Sequence, residues 1–576
     1  MRFLAHYLKP FYGWMALGLF IKATGSLIEL TLPYILSHIL DNVVPGGQIS
    51  QVLVWGGIML ACALFALIFN VIANRMAARV AKESSRVIRH DLFKKTLSLS
   101  SSQIDRITVP SLESRLTTDT YNVHHFVGMM QRLGVRAPLL MIGGLIVTWM
   151  LDRTLTLVMM ATLPLICLVI GVISAKGIPL YTRVQRSNDN MIRIVREDAQ
   201  GIRVIKALSR TDDERARFET ANKALVASEK KAGYTMALSN PLITLLLNIG
   251  LVGVIVIGAV LVNRSASQPG RIVAFIQYFT LITNAMLAVT RLFVQYSKGV
   301  ASARRIEEII NLEPDVSVLP QDEVPASEGI PADGIYFDDV SFSYNGVRDN
   351  ISHLTFHIPS GKSLGIIGPT GSGKSTVALL LMRFYDPTQG RIFINGRDIR
   401  TIPLDELSAT FGAVMQNGFI FNDTIEENIS FGRDIPHERI TACCRTAQAD
   451  EFIESFPESY ARELTFKGTN VSGGQRQRIL IARALAGDPS ILILDDASSA
   501  LDYQTDARLR QALAQDYPGT TSVIIAQRVS SVKSCATILV LESGKVIGQG
   551  DHETLMRTCP EYAEISHSQM GGDLLD

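Results

Sequence analysis

Gly368-Pro369-Thr370-Gly371-Ser372-Gly373-Lys374-Ser375-Thr376 is a glycine-rich run in the C-terminal half of the chain. It fits the pattern G-x-x-x-x-G-K-[ST], in which glycines let backbone N–H groups wrap phosphates at the start of a helix. The preceding residues 363–367 are an apolar run typical of a strand, and residues 377–384 are typical of a helix. A strand, this loop and a helix in that order predict a nucleoside triphosphate site.

A second element supports the same site. Lys374 is long enough to reach the β- and γ-phosphate oxygens, and the Ser375 hydroxyl is a ligand for Mg²⁺. Residues 491–496 form an apolar strand that ends in Asp495 and Asp496. Asp495 is placed to hold the same metal ion, as in other proteins with this loop. The two elements together predict ATP and Mg²⁺ as cofactors.

The residues around these elements predict the domain organisation. After residue 333, short runs rich in Ile, Val, Leu and Phe alternate with helical stretches, which is typical of an α/β domain on a largely parallel sheet. Residues 313–333 are rich in Pro, Gly and acidic residues and are typical of a linker. We therefore expect one domain at residues 1–312, a linker at 313–333 and a second domain at 334–576.

Composition indicates that the first domain lies in a membrane. The 576 residues are 47% hydrophobic and only 19% charged, and the mean hydropathy is +0.22. A well-solvated globular surface of this size needs more charge. The 55 Lys and Arg against 54 Asp and Glu give a net charge of +1, which provides no reason to expect a nucleic-acid partner. The six cysteines include no C-x-x-C pair, so neither a zinc site nor a disulfide framework is predicted.

Apolar runs long enough to cross about 30 Å of hydrocarbon fill the N-terminal part. Four contain no charged residue and two carry charges, so the predicted spans are residues 52–73, 154–175, 232–263 and 272–290, with 13–40 and about 130–151. The loop at 41–51 lacks Lys and Arg, whereas the segment after the second span is basic, which predicts cytoplasmic termini. Residues 74–109 contain no Gly or Pro, so the second span is expected to continue as a helix into the cytosol, and the fourth and fifth spans likewise.

A third element carries a family resemblance. Residues 471–478 are Val-Ser-Gly-Gly-Gln-Arg-Gln-Arg, directly before a helix. Ser-Gly-Gly-Gln between a phosphate-binding loop and an acid-ended strand resembles the signature of ATP-binding cassette (ABC) transporters. Residues 336–576 are similar to their nucleotide-binding domain, and the residues before them to their exporter-type transmembrane domain. The resemblance implies a membrane all-α domain of about six transmembrane helices with long cytoplasmic extensions, followed by an α/β P-loop ABC ATPase domain.

The resemblance also implies roles for individual residues. Tyr344 would stack on adenine, Gln416 would link Mg²⁺ to the membrane domain, and Asp502 would be the acid of the D-loop. The expected catalytic residues are Asp496, Gln527 and Gln416, and the expected metal ligands are Ser375, Gln416 and Asp495. The expected nucleotide-binding residues are Tyr344, Gly368, Thr370, Gly371, Ser372, Gly373, Lys374, Ser375, Thr376, Ser472, Gly473, Gly474, Gln475 and Asp502.

The signature predicts a dimer. A helix N-terminus that carries Ser472, Gly473 and Gly474 is a second phosphate cradle, yet one cassette cannot fold it onto its own phosphate-binding loop. Two cassettes must therefore meet head to tail, so that each signature closes over the ATP of the other. The chain is expected to be half of a transporter.

Four positions depart from the family pattern. The residue after the metal-binding aspartate is usually Glu but here is Asp496, and the switch position is usually His but here is Gln527. A shorter carboxylate suits general-base geometry poorly, and a glutamine carries no positive charge. Thr465 and Phe466 replace a usual Gly and acidic residue. The pattern resembles the degenerate-site subunit of heterodimeric bacterial multidrug-type ABC exporters, and a homodimer with two slow sites is the alternative.

The direction and cargo of transport stay open at this level. An exporter of amphiphilic compounds, drugs or lipids is the first hypothesis, and a metal-chelate (siderophore) importer on the same fold or a non-pumping ATP-gated regulator or channel subunit are the others. The expected partners are a second half-transporter with a consensus site, membrane lipids and a small-molecule substrate, in a bacterial inner membrane with the ATPase domain and both termini cytoplasmic. Residues 114–119 and 197–207 are expected to be the coupling helices. Ionisable residues in or beside the spans are expected to face a cavity or a partner, namely Lys22, Glu29, Arg132, Arg136 and Arg291. The alternative for Arg132 and Arg136 is that they extend to the cytoplasmic interface.

Overall fold

The computed structural model of the chain describes residues 2–320, 322 and 329–570. Part of the expected linker, at 321 and 323–328, and residues 571–576 lie outside the described residues. The chain forms two compact units. The first comprises Met1–Leu97 and Pro110–Leu312, and the second comprises Ser98–Val109 and Glu313–Asp576.

Helices account for nearly all of residues 2–310. They are α1 (Arg2–Leu8), α2 (Tyr12–His38), α3 (Ile49–Leu97), α4 (Ser101–Ile107), α5 (Val109–Ser114), α6 (Thr120–Leu151), α7 (Arg153–Ala207), α8 (Thr211–Ala237), α9 (Ser239–Asn263) and α10 (Pro269–Ile310). A 3₁₀ turn at Lys9–Phe11 joins α1 to α2, and π-helical turns lie at Ile39–Val43 and Arg115–Asp119.

Six helical segments of the described chain are long and apolar enough to cross a membrane, which confirms the predicted number. They are Arg2–Val43, Ile49–Leu97, Val109–Leu151, Arg153–Ala207, Thr211–Asn263 and Pro269–Ile310. Helix α3 has 49 residues and α7 has 55, so at 1.5 Å per residue they are about 75 and 80 Å long. Both helices therefore extend far beyond the roughly 30 Å hydrocarbon layer.

The core of the first unit lies between α2, α6, α7, α9 and α10. Tyr278 of α10 is fully buried there, and its hydroxyl donates a hydrogen bond of 2.6 Å to the carbonyl of Leu30. Gly144 of α6 faces Ile282, and a Cβ at that glycine would lie 2.8 Å from the isoleucine side chain. A small residue therefore lets the two helices approach closely, as is common in membrane helix packing.

The second span continues as a helix far beyond the length of a membrane span, as predicted, and this helix ends within the stretch that lacks Gly and Pro. Helix α3 stops at Leu97, and a new helix, α4, begins after Ser100. The Ser100 hydroxyl accepts the Gln103 N–H at 3.1 Å, and the Gln103 side chain accepts the Ser100 N–H at 3.3 Å. This reciprocal capping box starts a helix without any glycine or proline.

Helix α4 belongs to the second unit, which corrects the expected position of the first coupling segment. Asp105 accepts a 2.5 Å hydrogen bond from the Tyr385 hydroxyl, and Gln103 donates to the Glu313 carbonyl at 2.7 Å. Ser98–Val109, the segment that follows α3, therefore packs with the ATPase domain. Residues 114–119 belong to the first unit and pass through a π-helical turn into α6. Residues 197–207 form the end of α7.

The described residues of the second unit contain ten strands in two sheets. The strands are β1 (Ile335–Phe342), β2 (Ile351–Ile358), β3 (Ser363–Ile367), β4 (Gln389–Ile394), β5 (Arg397–Asp398), β6 (Phe411–Val414), β7 (Ile491–Asp495), β8 (Thr521–Ile525), β9 (Thr537–Glu542) and β10 (Lys545–Gly550). The smaller sheet has the order β2-β1-β4-β5 and is antiparallel. The larger has the order β10-β9-β3-β8-β7-β6, and only its β9–β10 pair is antiparallel.

Helices cover the larger sheet and confirm an α/β domain. They are α11 (Lys374–Leu381), α12 (Leu404–Ala409), α13 (Ile425–Ser430), α14 (His437–Thr446), α15 (Asp450–Glu454), α16 (Gly473–Ala486), α17 (Tyr503–Asp516), α18 (Val529–Val532), α19 (His552–Thr558) and α20 (Pro560–Met570). All five residues of β7 are buried, as expected for a parallel strand covered on both faces. The carboxyl ends of β3, β7 and β8 meet at one edge, where ligands bind in sheets of this kind.

Candidate nucleotide site

The loop after β3 has a backbone that only glycine tolerates at two positions. Gly373 adopts φ +98°, and a Cβ there would lie 2.7 Å from the Asn350 carbonyl oxygen. Gly368 lies so close to the Leu541 carbonyl that a Cβ would approach its oxygen to 2.0 Å. Residues 368–373 therefore form a tight loop whose amides precede α11, and this is the geometry that binds phosphate at a helix N-terminus.

Lys374 begins α11 and folds back over the loop. Its ammonium donates hydrogen bonds of 2.9 Å to the carbonyls of both Gly368 and Pro369. Burial lowers the pKa of Lys374, against the opposing attraction of Asp496 and Asp495. The ammonium is thus held at the mouth of the loop by neutral carbonyls, which it can exchange for phosphate oxygens.

Asp495 provides the strongest structural sign of a metal site. The side chain is 2% exposed, and its Oδ2 atom has no hydrogen-bond partner among the described residues. Burial raises the pKa of this carboxyl group, although a hydrogen bond from Ser375 acts in the opposite direction. A buried carboxylate oxygen beside a serine hydroxyl is the oxygen donor set that Mg²⁺ prefers. The residues present therefore fit Mg²⁺.

A cavity of about 230 Å³ brings the predicted residues together. It lies between the phosphate-binding loop and the ends of β7 and β8. Of the predicted site residues, its lining includes Thr370, Gly371, Gly373, Lys374, Ser375, Thr376, Gln416, Asp495, Asp496 and Gln527. Gly368 lines a neighbouring cavity with Thr370 and Gln527, and Ser372 is buried within the loop, where its hydroxyl has no described partner.

Asp496 and Gln527, the two departures at catalytic positions, contact each other. The Gln527 side-chain amide donates to Asp496 Oδ2 at 3.0 Å. Asp496 has a left-handed backbone with φ +54°, a conformation that aspartate tolerates better than most residues. Its N–H donates to the Ile525 carbonyl at 2.9 Å, and its carbonyl accepts from Gln477 at 3.2 Å. The backbone of Asp496 is therefore fixed on both sides, and its carboxylate is directed at Gln527.

Tyr344 stands at the edge of the site. Its hydroxyl donates to Thr376 Oγ1 at 3.3 Å, and the residue is 46% exposed. Phe342 and Tyr385 hold the ring edge-on, at centroid distances of 4.8 and 5.2 Å. Asn350 also lines the cavity, and its side-chain oxygen accepts the Tyr344 N–H at 3.2 Å. Sequence reasoning missed Asn350 because no motif marks the residue before β2.

The signature residues lie apart from this cavity. Ser472 caps α16, since its hydroxyl accepts the Gln475 N–H at 3.2 Å and its own N–H donates to Gln475 Oε1 at 2.9 Å. Ser472 and Gly473 are exposed, and Gly474 follows them in the first turn. None of these four residues lines the described cavity of 230 Å³. The helix N-terminus is thus well formed and faces solvent.

Asp502 is the N-cap of α17. Its carboxylate accepts the Thr505 N–H at 2.9 Å and the Thr505 hydroxyl at 2.7 Å, and these hydrogen bonds lower its pKa. The residue does not line the cavity. Its position in this chain is therefore fixed by helix capping.

Exposed aromatic side chains follow Gln416 in the loop after β6, and Gln416 is itself exposed. Phe466, at one of the departing positions, is 61% exposed and lies edge-on to Phe419 at 5.2 Å. Phe419 contacts Phe421, and Phe421 contacts Phe431, at 4.9 and 5.0 Å. An apolar surface thus occupies the place where the family pattern has an acidic residue.

Comparisons with known proteins agree with both units. The ABC transporter transmembrane region family matches residues 15–286, and the ABC transporter family matches residues 351–499. The chain is 32% identical over 567 residues to the uncharacterized ABC transporter ATP-binding protein YfiB of Bacillus subtilis (strain 168), covering 98% of both chains. It is 29% identical over 576 residues to the uncharacterized ABC transporter ATP-binding protein MT1311 of Mycobacterium tuberculosis (strain CDC 1551 / Oshkosh), covering 98% of this chain and 97% of the relative.

A solved structure shares the whole architecture. It is described as a bacterial Atm1-family ABC exporter with ATP bound, and it superposes with a TM-score of 0.80 at 25% identity, covering 98% of each chain. ABC exporters function as dimers, and their ATPase domains bind ATP, normally with Mg²⁺, and couple its hydrolysis to transport. The six apolar helices make this chain a multi-pass membrane protein. The chain belongs to the ABC transporter family, as an exporter-type half-transporter with one transmembrane region and one ATPase domain.

Proposed function

We propose that this chain exports amphiphilic compounds, drugs or lipids by alternating access, as the degenerate-site half of a heterodimer. Its partner would be another ABC half-transporter with a consensus catalytic site, in a bacterial inner membrane with the ATPase domains cytoplasmic. The observation that carries the proposal is the hydrogen bond between Asp496 and Gln527, set beside a well-formed signature helix.

The nucleotide site at the phosphate-binding loop of this chain is suited to holding ATP. A general base must lie within hydrogen-bond reach of the water that it activates. The Asp496 carboxylate is one methylene shorter than glutamate, and one of its oxygens is already bonded to Gln527. Gln527 brings no positive charge to the γ-phosphate. Both features weaken cleavage and leave the binding groups intact.

Binding of the nucleotide uses the rest of the cavity. Lys374 would exchange the Gly368 and Pro369 carbonyls for β- and γ-phosphate oxygens. Ser375, Gln416 and Asp495 would hold Mg²⁺, whose charge neutralises the phosphates. Tyr344 offers an exposed ring for adenine. The expected result is a site that retains ATP and keeps the two cassettes together.

The signature helix would serve the partner. Ser472 and Gly473 are exposed at the N-terminus of α16, and the capping box keeps the first turn in order. Backbone N–H groups at such a terminus stabilise an anion. The intact signature supports a competent composite site formed with the phosphate-binding loop of the partner.

The test is co-expression with a half-transporter encoded beside this chain. The partner is chosen because it has Glu and His at the positions equivalent to Asp496 and Gln527. The pair should hydrolyse ATP and accumulate a fluorescent amphiphile in inside-out vesicles, whereas the chain alone should do neither. Robust turnover by the chain alone, at about 1 per second or more, would contradict the heterodimer. ATP-dependent current without accumulation would instead indicate a channel subunit.

A further inference from the structure

Charged side chains of α2 and α6 gather within the membrane-spanning part of the first unit. Arg136 forms a two-pronged ion pair with Glu29, with Nη2 2.7 Å from Oε1 and Nε 3.3 Å from Oε2. Both side chains are partly buried, at 36% and 20% exposure. One positive and one negative charge are therefore matched.

Lys22 is buried in the same region without a matching charge. It is 3% exposed, and its ammonium donates to the side-chain oxygens of Asn70 at 2.8 Å and Asn74 at 3.0 Å, both on α3. No carboxylate of the described residues lies within 4 Å of it. Neutral amides orient an ammonium but do not balance its charge.

Arg132 adds another unmatched cation. Its Nε donates to the Gly128 carbonyl of its own helix at 3.0 Å, and it forms no ion pair within the described part of the chain. Arg136 and Arg132 carry the same charge as the Lys22 ammonium and repel it, whereas Glu29 carries the opposite charge and attracts it. Lys22, Arg132 and Arg136 against Glu29 leave an excess of two positive charges, since three cations face one anion.

Helix geometry gives the depth of this cluster. Counted at 1.5 Å per residue from the outer end of α2 at His38, Glu29 lies about 14 Å and Lys22 about 24 Å down. Counted from Leu151 at the outer end of α6, Arg136 lies about 22 Å down. In a hydrocarbon layer of about 30 Å, the cations therefore lie in the cytoplasmic half.

A buried cation without a matching anion at this depth indicates a functional role and not only a role in the fold. A charge within the membrane spans is energetically costly, and such residues mark substrate pathways. Arg132 can extend towards the interface, but Lys22 is enclosed and held by two asparagines. An anion placed among the cations would remove the excess charge.

We propose that Lys22, Arg132 and Arg136 bind the anionic headgroup of an amphiphile, a phosphate, sulfate or carboxylate on an apolar chain, taken from the cytoplasmic half of the bilayer. Glu29 orients the guanidinium of Arg136 within this site. The proposal rests on the proposed export of amphiphilic compounds and specifies the charge of the substrate.

The test measures binding of dodecyl phosphate to the full chain in phosphatidylcholine nanodiscs without nucleotide. Saturable binding at least tenfold tighter than that of dodecyltrimethylammonium is expected. Lys22→Gln and the charge-neutral pair Glu29→Gln/Arg136→Gln should each weaken it about tenfold, the effect of one charge-assisted hydrogen bond. Arg132→Gln, at a partly exposed side chain, provides a variant with little risk to folding. Arg291→Gln, an exposed cation of α10 outside the cluster, is the matched control and should bind as the wild type does.

Equal binding of the two amphiphiles would overturn the proposal, as would unchanged affinity in Lys22→Gln and Arg132→Gln, or an equal loss in Arg291→Gln. Inorganic phosphate is a further arm and should not compete at equal concentration. If it competes as well as dodecyl phosphate, the site takes a free anion and the proposed amphiphile is wrong. The measurement needs neither ATP turnover nor a partner. The heterodimer proposal can therefore fail while the binding proposal holds, and the binding proposal can fail while the heterodimer proposal holds.

Discussion

The side-chain amide of Gln527 donates a 3.0 Å hydrogen bond to Asp496 Oδ2, across the ends of neighbouring strands β8 and β7. Each residue thereby engages one of the polar groups that it would otherwise turn towards a nucleotide. The contact joins two substitutions that lie 31 positions apart in the chain. They therefore act as one local feature.

The chain alone should bind ATP and hydrolyse it very slowly. The double variant Asp496→Glu/Gln527→His should raise turnover of the isolated chain at least tenfold, because a positioned base contributes two to four orders of magnitude in typical enzymes. Steady-state ATPase of both proteins checks this, with Lys374→Ala as the nucleotide-binding control. Equal rates before and after the double change would contradict the assignment of these two positions.

In the paired complex, Gly473→Asp should nearly abolish turnover. A carboxylate would face the γ-phosphate of the partner's ATP where a helix N-terminus should stabilise it. Misfolding is not the expected cause, because a Cβ at Gly473 meets only Ala500, at 3.5 Å. Gly473→Ala is the matched control and should keep most of the activity.

Asp496→Asn in the same complex should reduce turnover much less than Gly473→Asp does. The degenerate site would still bind ATP and hold the cassettes together, so the remaining effect falls on conformational coupling. Turnover of both variants is measured side by side. An equally severe loss in Asp496→Asn would make Asp496 a working base, and the degenerate site would then be excluded.

Asp495→Asn should stabilise the nucleotide-free chain. It should also lose the additional stability that Mg²⁺ gives to the chain in the presence of ATP. Burial raises the pKa of Asp495, so the folded state holds the proton more tightly than the unfolded state, and stability is lost as pH rises through that range. Asparagine carries no charge to bury, so the change should raise the Tm of the nucleotide-free chain by about 2 °C. Thermal unfolding with ATP, with and without Mg²⁺, is the measurement.

Asp502→Asn is the control for that experiment. Hydrogen bonds from Thr505 lower the pKa of this exposed carboxylate, so the sign is opposite and no gain in Tm is expected. A lower Tm in nucleotide-free Asp495→Asn would show that the carboxylate is stabilising, contrary to its burial.

Gln569 of α20 should stabilise the loop from Gln527 to Val529, which follows β8. Its side chain accepts the Val529 N–H at 2.8 Å and donates to the Gln527 carbonyl at 2.9 Å. Gln569→Ala should speed hydrogen exchange at the Val529 amide about fivefold, the equivalent of roughly 1 kcal/mol for one hydrogen bond. Gln569→Glu keeps the acceptor and should retain protection there. Equal exchange in all three proteins would remove this role from α20.

Local patterns predicted much of the molecule. Six apolar runs indicated the spans, and the phosphate-binding loop between a strand and a helix indicated the nucleotide site, because hydrophobic length and backbone torsion are set by neighbouring residues. The start of α4 was also readable in principle. Ser100 and Gln103 have capping-box spacing, which marks the start of a helix even in a stretch without Gly or Pro.

Local patterns therefore predict the class of each segment and identify the phosphate-binding and signature motifs. Which side chains meet depends on the three-dimensional packing. Asp496 meets Gln527, Asn350 joins the cavity, and Lys22 is enclosed with asparagines of another helix. Such contacts depend on how strands and helices distant in the chain pack together, and the physical reason is that packing is cooperative over the whole unit while a motif is local.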